Sequence, residues 1–74
     1  MKYTFKQLHY FLKVAETGNV TSASEELYVS QPAISNAVSH LEDCFNVQLL
    51  IRHHAKGVSL TAAGRELQIN LPVY

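Results

Sequence analysis

The sequence predicts a mainly α domain that carries a small two-stranded antiparallel β wing. Two observations lead to this. Residues 20–45 read as a short helix, a tight turn at Tyr28 and Val29, and a longer helix opening at Ser30. After it, residues 47–52 and 58–60 are short apolar runs rich in Val, Leu and Ile around the loop His53-His54-Ala55-Lys56-Gly57, as in a β ribbon.

The first helix is predicted at 5–17. Thr4 followed by Gln7 fits a capping box, and Gly18 is a natural C-cap. Phe5, Leu8, Phe11, Leu12 and Ala15 mark its apolar face, expected to be core rather than a ligand box around Phe5, Tyr10 or Phe11. The second helix is predicted at 21–28, capped by Asn19 or Thr21. Ala23 and Leu27 should face inward, Ala23 being small enough for close helix crossing. Glu25 and Glu26 read as a solvated face, because adjacent helical residues point apart and do not form a carboxylate pair.

Ser30 is a good N-cap for the third helix, and Pro32 falls in its first turn, where a missing amide costs nothing. Ile34, Ala37, Val38, Leu41 and Phe45 recur at three- and four-residue steps and form one apolar stripe. The opposite face is expected to expose Gln31, Pro32, Ser35, Asn36, Ser39 and His40. Ser and Asn are poor helix formers, so three of them on one face call for a reason. Asn and Gln pair with adenine N6 and N7, and Ser serves base or phosphate, which fits a helix lying in a DNA major groove. The competing reading is an ordinary solvent face. Asn46 should end this helix, and Thr61 should cap a last one running to Ile69 before Pro72.

Taken together, the helix pair and ribbon predict a winged helix-turn-helix, with Arg52 and Lys56 of the wing reaching phosphates or the adjacent minor groove. Residues 1–61 would form this domain, and residues 62–74 the start of a further helix and tail.

The 74 residues suit one small domain, and 47% apolar content argues against disorder. Net charge is zero, but its distribution is uneven. Residues 1–15 carry +3 with no acid, 16–43 carry −5 with no base, and 44–74 carry +2. Cations at both ends could meet phosphates beside a neutral reading helix, with weak electrostatic affinity. Cys44 is the one cysteine, so no internal disulfide is expected, and it reads as a buried small hydrophobe in a cytoplasmic chain. The start lacks an apolar signal region, and no run is apolar enough to span a bilayer, so no membrane association is expected. His9, His40, His53 and His54 have no metal-ligand spacing, and phosphate contact or plain surface exposure suits His53 and His54 better. With no nucleophile–base pair and no Gly-rich phosphate loop, neither an enzyme nor a cofactor is expected.

These residues resemble the N-terminal DNA-binding domain of LysR-type bacterial transcriptional regulators over about residues 5–67. The resemblance lies in Leu8-x-x-Phe11, Val14-Ala15-Glu16 and Ala23-Ser24-Glu25-Glu26-Leu27. It continues through Val29-Ser30-Gln31-Pro32-Ala33-Ile34-Ser35 and Leu41-Glu42, and closes with Leu49-Leu50-x-Arg52 and Leu60-Thr61-x-Ala63-Gly64. It implies sequence-specific binding of double-stranded promoter DNA as part of a dimer. Gln31, Pro32, Ser35 and Asn36 match positions that enter or line the major groove. Ser30 and Ser39 match positions near the backbone, and Arg52 matches one that serves the wing. Asn36 and His40 stand where relatives usually carry Arg, and Leu50 and Ile51 where Phe and an acid are common. Relatives continue through a long dimerising helix into a small-molecule sensor domain. On this resemblance a homodimer through the C-terminal helix is expected, weakened by its shortness, with no effector site in these residues. The alternative is an interaction or competitor module that pairs with a longer relative without touching DNA.

Overall fold

The structure, a computed structural model, describes residues 3–53 and 57–70. Its elements are α1 (Phe5–Thr17), α2 (Val20–Leu27), α3 (Gln31–Phe45), β1 (Leu50–His53), β2 (Gly57–Leu60) and α4 (Ala62–Asn70). The helices pack around one core, and β1 and β2 form the two-stranded antiparallel wing.

α1 starts where the sequence predicts because Thr4 and Gln7 satisfy each other's backbone amides at 2.9 and 3.2 Å. It ends at Gly18, whose amide donates to the Val14 carbonyl. Its buried stripe is Leu8, Tyr10, Phe11 and Val14, which is rotated from the expected one. Phe5 is 72% exposed, a correction to its reading as core. Tyr10, Phe11 and Val14 join Ile34, Ala37, Val38 and Leu41 of α3 in the core cluster, whereas Phe5, at the first helical position, is outside it.

α2 begins one residue earlier than predicted, at Val20, because Asn19 rather than Thr21 caps it, accepting the Ser22 amide at 2.6 Å. It also ends one residue earlier. Tyr28 is the left-handed C-cap (φ 58°) rather than the last helical residue, and the Val29 amide also bonds back to the Ser24 carbonyl. Ala23 is fully buried, and Leu27 packs on the core from a half-buried position.

α3 opens on Ser30, whose hydroxyl accepts the Ala33 amide at 3.2 Å, with Pro32 in the first turn. Ile34, Ala37, Val38 and Leu41 are buried as expected. Phe45 is not. It is 37% exposed and sets its ring against Tyr3, with centroids 5.0 Å apart. Cys44 is half-buried rather than buried.

The first strand starts at Leu50, three residues later than expected. Asn46 turns left-handed, the Val47 amide returns to the Glu42 carbonyl, and Glu42 Oε2 accepts the amides of Leu49 and Leu50. Residues 47–49 are thus held to α3 before the ladder begins. At the tip, His53 pairs with Gly57, so both belong to strands rather than to the loop. The register also sets Leu50 opposite Leu60 and Arg52 opposite Val58.

Two close approaches fix the wing. Gly57 has φ +85°, and a Cβ there would collide with the Gly18 carbonyl and Asn19. The neighbouring Val58 amide donates to that same carbonyl at 2.9 Å, tying β2 to the α1–α2 turn. At Gly64 of α4 a Cβ would collide with the Leu49 carbonyl. Thr61 completes the joint. Its hydroxyl donates to the Gln48 carbonyl at 2.7 Å and accepts the Gly64 amide at 2.9 Å.

Candidate nucleic-acid interface

α3 presents a continuous polar face opposite its buried stripe. Gln31, Pro32, Asn36, Ser39 and His40 are all exposed on it. Ser35 is half-buried, because its place on the helix borders Val38 at the edge of the core. Ser30 is exposed, but its hydroxyl is engaged as the N-cap. Gln31, Pro32, Ser35, Asn36 and Ser39 carry no formal charge, so what they offer a partner is directional hydrogen bonds.

The wing stands beside this helix with Arg52 and His53 exposed. His53 Nε2 lies 2.8 Å from Ser59 Oγ, which holds the imidazole against the opposite strand. Arg52 shares the sheet face that carries Leu50 and Leu60. Lys56 and His54, also expected at the wing tip, lie outside the described residues.

The expected reservoir of positive charge on the first helix is smaller than the sequence implied. Lys13 Nζ is bound by Glu16 at 2.9 Å and Glu26 at 3.3 Å. The hydrogen bonds that the ammonium donates to Glu16 and Glu26 hold it above the ordinary lysine pKa, so Lys13 stays charged but already paired. Glu26 is therefore more than a solvated residue: it links α2 to α1. Lys6 differs, its ammonium lying 5.9 Å from the Tyr10 ring centroid.

Reasoning on the sequence missed Glu42 as a residue that shapes the site. The available signal was an acid in the last turn of a helix, where the macrodipole disfavours negative charge and a specific partner is needed to retain it.

The family model for bacterial regulatory helix-turn-helix proteins of the lysR family matches residues 5–65. The chain belongs to the LysR family. Among LysR relatives it is 43% identical over 67 residues to the HTH-type transcriptional regulator YoaU of Bacillus subtilis. That match takes in 90% of the chain and 23% of the relative. It is 50% identical over 60 residues to the regulator TcbR of a Pseudomonas strain, covering 81% of the chain and 20% of TcbR. The chain thus spans less than a quarter of the length of these relatives. The structure of the CbnR DNA-binding domain in complex with DNA superposes with a TM-score of 0.86 at 45% identity. This covers 90% of the chain and 76% of that domain. The BenM DNA-binding domain on its catB site 1 DNA gives 0.83 at 30% identity, covering 89% and 72%. The fold is accordingly the winged helix-turn-helix of LysR regulators. Among the described residues, no helix is long and apolar enough to cross a membrane.

Proposed function

We propose that the chain is the DNA-binding domain of a LysR-type transcriptional regulator and reads double-stranded promoter DNA with α3 in the major groove. The observation that carries this is the exposed, uncharged hydrogen-bonding face of α3, on a fold that two relatives present to DNA. Gln31, Pro32, Ser35 and Asn36 lie at or beside base edges. Ser30, Ser39 and His40 lie toward the strands, and Arg52, His53 and Lys56 form the wing contact. The DNA complexes of these relatives favour this reading over a module that only pairs with a longer homologue.

Residues 1–61 act as the reading unit and α4 as the first turns of a linker helix. The chain dimerises through that helix, each copy taking one half-site. Apolar side chains support this: Ile69 is 73% exposed and Val47 is also exposed, close in sequence to the half-exposed Phe45. The domain works in the cytoplasm, where promoter DNA is found.

Titrating labelled duplexes across a salt series tests the reading. We expect binding with a negative slope of log K against log salt, steeper affinity for a cognate operator than for mixed sequence, and a dimer on the operator. Absence of binding at the lowest salt would overturn it.

A further inference from the structure

An open groove of about 460 Å³ separates the start of α1 from the middle of α3, and its lining includes Thr4, Lys6, Tyr10, Asn36 and His40. Lys6 and Tyr10 stand one turn apart on α1, and Asn36 and His40 one turn apart on α3, so each pair presents one side of its helix to the other. Among the described residues, no acid lines the groove. Lys6 makes no ion pair among the described residues, in contrast to Lys13 on the same helix, which two carboxylates hold. Thr4 and Gln7 satisfy each other, so the cap of α1 does not consume the lysine's charge. The groove is thus a cationic recess on the flank of the reading helix.

A helix about 10–12 Å across fills a major groove about 12 Å wide, so whatever stands directly alongside the helix meets a sugar–phosphate strand. We propose that the Lys6–His40 groove seats a backbone phosphate of the duplex that α3 reads, with Lys6 supplying the charge from α1 and His40 facing it from α3. This rests on the DNA-binding reading above. It adds a strand contact on the side of α3 that the α1 end of the domain covers, apart from the wing. It also gives a neutral domain a localised cation where a phosphate would lie, in place of the cations that its reading helix lacks.

The test uses the chain with a mixed-sequence duplex of about 30 base pairs, titrated across a salt series. Lys6→Gln should lower the salt slope by about one, so that its affinity deficit against wild type is about fourfold larger at 50 mM than at 200 mM salt. Lys6→Arg should restore the wild-type slope. Lys13→Gln, whose charge is already paired, should leave the slope unchanged. Lys6 is exposed, so thermal melting of each Lys6 variant should match wild type. If Lys6→Gln keeps the wild-type slope while Arg52→Ala lowers it, the phosphate seat is overturned and the DNA-binding reading stands. If wild type itself fails to bind the duplex at low salt, that reading falls and the seat with it.

Discussion

The Glu42 carboxylate accepts the Leu49 amide at 2.8 Å, and through that bond α3 carries the wing. The same oxygen takes the Leu50 amide at 3.2 Å, so one side chain sets where α3 stops and where β1 starts. Glu42→Ala would leave two partly buried amides without their acceptor, a loss of about 1–3 kcal/mol that urea denaturation would detect. Glu42→Gln keeps an acceptor oxygen and should lose less. If both variants unfold at the wild-type urea midpoint, Glu42 does not hold the wing.

The opposite end of the wing depends on Gly57. Alanine there would meet the Gly18 carbonyl while forced to φ +85°. Because backbone cannot move aside as a flexible side chain would, Gly57→Ala should cost about 1–3 kcal/mol. Amide exchange should show the Val58 amide losing protection first, since its bond to Gly18 would be displaced. Unchanged protection at Val58 would refute the account.

Much of this architecture is legible from local rules. The Thr4–Gln7 box, Ser30 and Gly18 are short-range signals that fix helix ends wherever they occur. What sequence could not supply is the direction from which partners arrive. Phe5 and Tyr10 are both apolar enough for a core, and only the approach of α3 decides that Tyr10 enters it. Val47, Gln48 and Leu49 have strand-like composition, yet Glu42 holds the amide that would begin the ladder. Lys13 counts as a cation in any charge tally, although a glutamate thirteen residues away shares it. On α3 the expected exposure of Gln31, Pro32, Asn36, Ser39 and His40 is met, because burial of Ile34, Ala37, Val38 and Leu41 leaves the opposite positions exposed by geometry. Ser35, at the boundary, is the exception.

Tyr28 occupies the turn between α2 and α3 at φ 58° and is 94% exposed. A non-glycine side chain in that conformation costs roughly 1–2 kcal/mol, and Asn tolerates it better. With almost no packing to lose, Tyr28→Asn should raise stability by about 0.5–1 kcal/mol in urea denaturation. A decrease would show that the ring has contacts that its exposure conceals.

Lys13 gives a pH dependence with a definite sign. Its pKa is raised in the folded state by Glu16 and Glu26, so whatever the cluster contributes is fully present below the unfolded lysine pKa. It is lost only as pH rises through the raised value. The difference in melting temperature between wild type and Lys13→Gln should therefore stay constant through neutral pH and shrink only in alkali. A difference that shrinks between pH 7 and 9 would contradict the assignment.

Gln31 and Arg52 should separate reading from holding. Gln31 is exposed at the first position of α3, where a side chain can reach base edges, and its amide offers both a donor and an acceptor. A bidentate pair to a base discriminates by about 1–3 kcal/mol, so Gln31→Ala should lose that much on a cognate operator and little on mixed sequence. Arg52 is a fixed cation on the wing and should act on phosphates. Arg52→Ala should weaken binding on every duplex and lower the salt slope by about one. The two variants therefore move different quantities: the ratio of operator to mixed-sequence affinity for Gln31, and the salt slope for Arg52. Should Gln31→Ala shift the slope and leave the ratio intact, Gln31 holds the strand, and base reading passes to Asn36 and Ser35.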